Sequence, residues 1–301
     1  MRQRIFSTLI IITIAVTILL IFIGGFVRAT GAGLGCPDWP KCFGLWIPPL
    51  DAAQLPAEYD ASQFNVVHTW TEYVNRLVGV LVGFLILLSA AFSTGYTKIR
   101  KSVTVASFLS LVLVIFQGWL GGQVVRSGLQ EGMITIHMIV AMLILMTLIY
   151  AAFQALRDRY TVNLSSHHAK TILYILYPLI FVTFIQIILG TQVREAIDAV
   201  DKTMDRTLWL DQVGLIDQIH RTFSWTVLAL GGVLIYFVRK FSISGHIRKY
   251  ANAVGVIILL QILVGVVLAY GGFPASFQII HLGLTSFLIG SQFMLILMVR
   301  R

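Results

Sequence analysis

"YANAVGVIILLQILVGVVLAYGGFPASFQIIHLGLTSFLIGSQFMLILMV", residues 250–299, runs for 50 residues without one Asp, Glu, Lys or Arg. As a single helix it would be about 75 Å long at 1.5 Å per residue, far more than one bilayer crossing. Glycines and a proline interrupt it at "GGFP", residues 271–274, a natural turn. The run therefore reads as two membrane-spanning helices joined by a tight connection.

The rest of the chain reads the same way. Charge-free runs at 5–27, 77–97, 102–125, 132–156 and 171–193 each approach or exceed the about 20 residues that a crossing needs. The run at 222–238 is short, and becomes a full span once 216–221 are added. The total is eight transmembrane helices. A hydrophobic content of 57% and a mean hydropathy of +0.87 belong to the membrane class, not the soluble one. The first run exceeds a typical signal-peptide core, so it is expected to remain as a helix.

A net charge of +9 raises the question of nucleic acid or acidic lipid. The distribution answers it. With the N-terminus in the cytoplasm, 14 of the 22 basic residues fall on the inner side, among them Arg2, Lys98, Arg100, Arg157, Lys240, Arg300 and Arg301. The outer side holds Arg28, Lys41, Arg126, Arg194, Lys202 and Arg206, with Arg76 and Arg221 at helix mouths. This is the positive-inside bias of a membrane protein, with both termini cytoplasmic and no nucleic-acid partner. The only cysteines, Cys36 and Cys42, then lie in the first outer loop. An oxidising outer face permits a disulfide, and a pair of free thiols is the alternative. Two cysteines in "CPDWPKC" are too few for a structural zinc.

The chain also repeats itself. "IGGFVRA" and "LGTQVRE" match at Gly24/Gly190, Val27/Val193 and Arg28/Arg194, an offset of 166. Gln117/Gln261, Gly121/Gly265 and His137/His281 match at an offset of 144, and Asn75/His220 and Arg76/Arg221 at 145. The 21-residue difference reflects the longer first outer loop. A shared order at nearly constant offset signals duplication. Four helices per half is an even number, so the halves have one orientation. The expected fold is all-α and integral to the membrane: two tandem parallel four-helix bundles, residues 1–160 and 171–301.

Four histidines, His68, His137, His220 and His281, fall in the outer parts of the second, fourth, sixth and eighth spans. Imidazoles in hydrocarbon face a bundle interior. His220 and His281 come from different helices at similar depth, which suits two axial ligands of one heme iron. Hydrogen bonding across helices is the alternative. Heme propionates want cations near the surface, and Arg28, Arg76, Arg126, Arg194 and Arg221 all sit at outer helix mouths. Snorkelling to headgroups is their other reading. Glu72 precedes Arg76 by four residues, so it is either an intrahelical ion pair or a carboxylate that acts in chemistry.

"GGFVRATGAGLGCPDWPKC", the E-Y-x-x-R of the second helix, "QGWLGG" before a histidine, and "IHR" with a later histidine together resemble the heme A synthase family, over nearly the whole chain. The resemblance implies an eight-helix plasma-membrane oxidoreductase that converts a methyl group of heme O into the formyl group of heme A for terminal oxidases. It implies heme b iron on His220 and His281. It also implies a substrate-heme site in the first half near Glu72, as the catalytic carboxylate, and His137. Two hydroxylations and loss of water would give the aldehyde. Heme O synthase and an electron-transfer protein are the implied partners. Two departures stand out. Asn75 occupies the position where the family has a histidine before the arginine, and a second outer cysteine pair is missing. His68, two turns before Asn75, is a weak substitute as ligand. A di-heme b-type electron-transfer cytochrome would need ligand pairs in both halves, which Asn75 disfavours. A non-catalytic heme-carrying assembly factor is the third reading.

Overall fold

The computed structural model describes residues 1–160, 164–200 and 203–301; Lys202 lies outside the described residues. Among the described residues there is no β-strand. The helices are α1 (Arg2–Ala29), α2 (Val66–Ser93), α3 (Lys101–Arg126), α4 (Met133–Leu156), α5 (Ser166–Asp198), α6 (Trp209–Val213), α7 (Leu215–Lys240), α8 (Gly245–Tyr270) and α9 (Ala275–Val299). Eight of them are long and apolar enough to cross a membrane, and only α6 is not. The 250–299 run breaks where "GGFP" stands, with Gly272 at φ 76° and Pro274 capping α9.

Two helices extend well beyond their apolar runs. α2 begins at Val66, eleven residues before position 77, with the Asn65 side chain accepting from the His68 N–H at 3.1 Å. α5 starts at Ser166 and runs out to Asp198. Charge-free length marks the hydrocarbon, but a helix continues wherever its polar side chains find partners outside it.

Helix neighbours recur between the halves. α1 packs on α2, α2 on α3, α3 on α4 and α4 on α1; correspondingly α5 packs on α7, α7 on α8, α8 on α9 and α9 on α5. α1 and α4 also pack against α9, and α4 against α5. α1 shows how the sequence makes such contacts. Phe6, Ile10, Thr13, Thr17, Ile21 and Gly25 are buried at spacings of three and four, one face of the helix. Thr13 and Thr17 donate back to the carbonyls of Leu9 and Thr13 at 2.8 and 2.7 Å, so their hydroxyls enter the apolar face already satisfied. Between α1 and α9 the backbones approach over glycine. A Cβ on Gly25 would lie 2.9 Å from Leu282 Cδ2, and one on Gly283 would collide with the Phe22 ring. Small residues at such crossings give van der Waals contact where lipid offers no hydrophobic drive.

Opposite ends of the helices carry different loops. At one end Arg100 donates to the Gln154 carbonyl at 2.8 Å and Arg301 to the carbonyls of Arg157 and Tyr160. The other end carries the first loop, the short connections 127–132 and 271–274, and α6.

Candidate functional site

The first loop folds down on α2. Cys36 and Cys42 form a disulfide. The Asp38 carboxylate accepts from the Phe43 and Gly44 N–H groups at 2.6 and 3.0 Å, which closes the loop on itself. Thr69 donates to the Gly35 carbonyl at 2.8 Å and the Cys36 N–H donates to Glu72 Oε2 at 2.8 Å. Trp39 lies over α3 where only a glycine fits: a Cβ on Gly122 would be 2.9 Å from its Cδ2. Arg126 stands over the Trp39 ring, 5.8 Å from its centre.

Beneath this loop sit Glu72, 4% exposed, and Arg76. Arg76 Nε and Nη2 donate to Glu72 Oε1 at 3.1 and 2.5 Å. Its Nη1 donates to the carbonyls of Asp38 and Lys41, both at 2.8 Å, and Nη2 also reaches Cys36 O at 3.4 Å. A guanidinium has five N–H donors, and all five of these are engaged within the protein. Arg76 therefore has no free donor for a propionate; it holds the loop. Its repeat partner differs. Arg221 pairs with Asp217 and keeps 42% of its side chain exposed. Arg28 and Arg194 both bind Asp198, and Arg194 also donates to the Arg28 carbonyl at 3.0 Å. These two arginines join the C-terminal ends of α1 and α5.

His220 on α7 and His281 on α9 face each other with ring centres 6.4 Å apart and planes at 74°. Two imidazoles bound on opposite sides of one metal ion, each by a bond of about 2 Å, put their ring centres about 6.4 Å apart. The pair thus has the separation that a bis-histidine iron requires. Each ring lies against a glycine. A Cβ on Gly190 would be 3.1 Å from His220 Cε1, and one on Gly265 3.7 Å from His281 Cε1. Nδ1 of both is buried without a hydrogen-bond partner. These features fit a flat group held edge-on between helices.

In the first half, His137 on α4 has the same setting, against Gly121 at 3.5 Å, with Nδ1 buried and unpartnered. Asn75, the repeat partner of His220, has its Oδ1 buried without a partner. Gly24, which corresponds to Gly190, has nothing within 4 Å of a Cβ. Space exists here that the second half fills with an imidazole. His68 enters the structure through its backbone, capped by Asn65.

Residues 7–293 match the family model described as cytochrome oxidase assembly protein. The chain belongs to this family, that of the heme A synthases. The family also supplies its full-length relatives. A protein named heme A synthase from Wolbachia pipientis wMel is 28% identical, covering 91% of this chain and 87% of that one. The heme A synthase of Rickettsia prowazekii is 26% identical over 93% of this chain and 94% of its own. That of Bartonella henselae is 24% identical over 87% and 83%.

Sequence reasoning missed Gln186, Gln117 and Gln261 as site residues. Each donates Nε2 to the backbone carbonyl of a histidine: Gln117 to His137 at 3.0 Å, Gln186 to His220 at 2.8 Å and Gln261 to His281 at 3.0 Å. The signal was available, since each glutamine stands four residues before the glycine that its histidine touches.

Proposed function

We propose that this chain is a heme A synthase, which oxidises a methyl group of heme O to the formyl group of heme A. The observation that carries the reading is an asymmetry between two repeat-related centres. One has two imidazoles at the spacing of axial ligands. The other has one imidazole, an asparagine, open space beside Gly24 and a buried carboxylate under a disulfide-braced loop. A permanent cofactor wants two-sided ligation; a substrate that must leave as product is held less tightly. The two tandem bundles are accordingly read as a substrate half and a cofactor half.

In the second half His220 and His281 would hold heme b, with Arg221 free to meet a propionate. Heme b supplies one-electron redox chemistry when bound there. In the first half His137 is the ligand available to the substrate iron, and Asn75 leaves the opposite face without an imidazole. Converting a methyl to an aldehyde takes protons as well as electrons from the carbon. Glu72 is the buried base positioned to accept them or to stabilise positive charge as it develops. The Cys36 N–H and Arg76 fix the direction of its two oxygens. The loop excludes water above it. Basic-residue asymmetry supports a plasma-membrane orientation with both termini in the cytoplasm and the disulfide outside. Heme O synthase and an electron-transfer protein are the expected partners.

The test is heme extraction from cells that lack the protein, carry it, or carry Glu72→Gln. The wild-type chain converts heme O to heme A and Glu72→Gln does not. Cells in which the wild-type chain leaves heme O unchanged overturn the reading. A His220→Ala, His281→Ala double variant loses the low-spin heme b spectrum; its persistence would refute the ligand assignment.

A further inference from the structure

Among the described residues, the buried side-chain atoms without a hydrogen-bond partner include Nδ1 of His137, His220 and His281, and Oε1 of Gln117, Gln186 and Gln261. Three are donors when the imidazole is neutral and bound through Nε2. Three are acceptors. They occur in pairs, because each glutamine already touches the residue whose ring carries the orphaned nitrogen.

The local construction is the same each time. One helix contributes Gln-x-x-x-Gly, two positions on one face a turn apart. The glutamine Nε2 binds the carbonyl of the histidine residue on the next spanning helix. The glycine receives the imidazole Cε1. Each glutamine is thus tied by Nε2 to the backbone of its histidine, while its Oε1 and that histidine's Nδ1 both stand without a partner in the structure. At His281 the anchor is doubled, since Gln261 Nε2 also donates to Thr285 Oγ1 at 2.8 Å, and Thr285 donates to the His281 carbonyl at 3.1 Å.

The fourth repeat position separates a packing role from a role toward the imidazole. On α1 the corresponding residues are Leu20 and Gly24, and the facing residue is Asn75. The glycine is kept, but the glutamine is gone where the histidine is gone. A glutamine needed only to pin helices would have no reason to leave with the ring.

We propose that Gln117, Gln186 and Gln261 are positioning residues, each supplying Oε1 as acceptor for the Nδ1 hydrogen of its histidine, directly or across one water molecule. This rests on the reading that the histidines hold heme. An imidazole that binds metal through Nε2 carries its hydrogen on Nδ1, and such hydrogens are held by a carbonyl, carboxylate or water that fixes ring orientation and raises ligand basicity. The clasp sets the tautomer, aims Nε2 into the interhelical space and tunes the iron that it binds.

The experiment is a redox titration of the bis-histidine heme b in purified Gln261→Leu and Gln261→Glu, with heme content measured on the same samples. Both variants lose the Nε2 anchor, so packing effects are shared. Leucine offers no acceptor and the midpoint rises; the carboxylate of glutamate is a stronger acceptor and the midpoint falls. Shifts of the same sign, or none, at full heme content overturn the inference. Should the Gln261 pair lose heme, Gln186→Leu and Gln186→Glu read the same signs at His220. Gln292, buried on α9 and bound to Thr183 at 3.0 Å, is the control. Gln292→Leu leaves the midpoint unchanged, and a shift there as large as in Gln261→Leu also refutes the clasp. Failure of the heme reading itself is recognised separately, by a low-spin spectrum that survives loss of both histidines.

Discussion

The two repeat-related ion pairs should differ in strength, and the structure says by how much. Glu72 and Arg76 have side chains 5% and 14% exposed, under a loop that contributes three further acceptors and one donor. Asp217 and Arg221 are 7% and 42% exposed. Opposite charges about 4 Å apart attract by about 4 kcal/mol at an effective dielectric of 20, and by about 1 kcal/mol in water. Removing one member of a buried pair costs about 3–5 kcal/mol, because the other is left uncompensated. Where the charge left behind is half exposed, as Arg221 would be, the loss is nearer the ~1 kcal/mol of an exposed pair. Glu72→Ala should therefore destabilise by about 3 kcal/mol or more, while Asp217→Ala falls nearer 1 kcal/mol. A double-mutant cycle isolates the interaction. The expected coupling is about 2–3 kcal/mol for Glu72–Arg76 and under about 1 kcal/mol for Asp217–Arg221. The assay is reversible unfolding in mixed micelles by increasing dodecyl sulfate, followed by circular dichroism. Equal couplings at the two positions would refute the claim that the loop, and not the i,i+4 spacing, gives Glu72 its fixed setting.

Other outcomes follow from single contacts. Mass spectrometry without reductant should find Cys36 and Cys42 joined, and two free thiols in freshly isolated protein would contradict the bridge. Leu20→Gln with Asn75→His should rebuild the fourth clasp and add a second low-spin bis-histidine signal; Asn75→His without the glutamine should give a weaker one. An unchanged spectrum in the paired variant would mean that the first half does not present its two helices as the second does. Gly283→Ala should destabilise by about 1–3 kcal/mol through overpacking on Phe22, measured in the same unfolding assay. Stability equal to wild type would show that the α1–α9 crossing can relax.

The sequence revealed most where the physics is local. Hydrocarbon thickness sets helix length, so eight spans and the turn at 271–274 were readable from charge and glycine alone. The paired His220 and His281 were readable because polar groups in apolar runs are few. The Glu72–Arg76 pair was readable from its i,i+4 spacing, but the other acceptors of Arg76 are loop carbonyls at 36, 38 and 41, and no local pattern announces a loop that folds back across more than 30 residues. The early start of α2 was readable only in part: the charge-free run begins at 77, yet His68, Glu72 and Asn75 were already placed on that helix. α6 is five residues long and gives no periodicity to read.

α9 is the most deeply packed of the spans, with 61% of its most apolar stretch buried against 22–39% for the others. It meets α1, α4, α5 and α8, and it carries His281. Yet it emerges long after the helices it separates, more than a hundred residues beyond the end of α4 at Leu156. At ribosomal speed that is a delay on the order of ten seconds. Throughout that interval α1 and α4 stand in the membrane with the faces meant for α9 turned to lipid. His281 is not yet made. His281 and closure of the wall between the two halves thus arrive as one late event, and until then His220 stands without the imidazole that faces it.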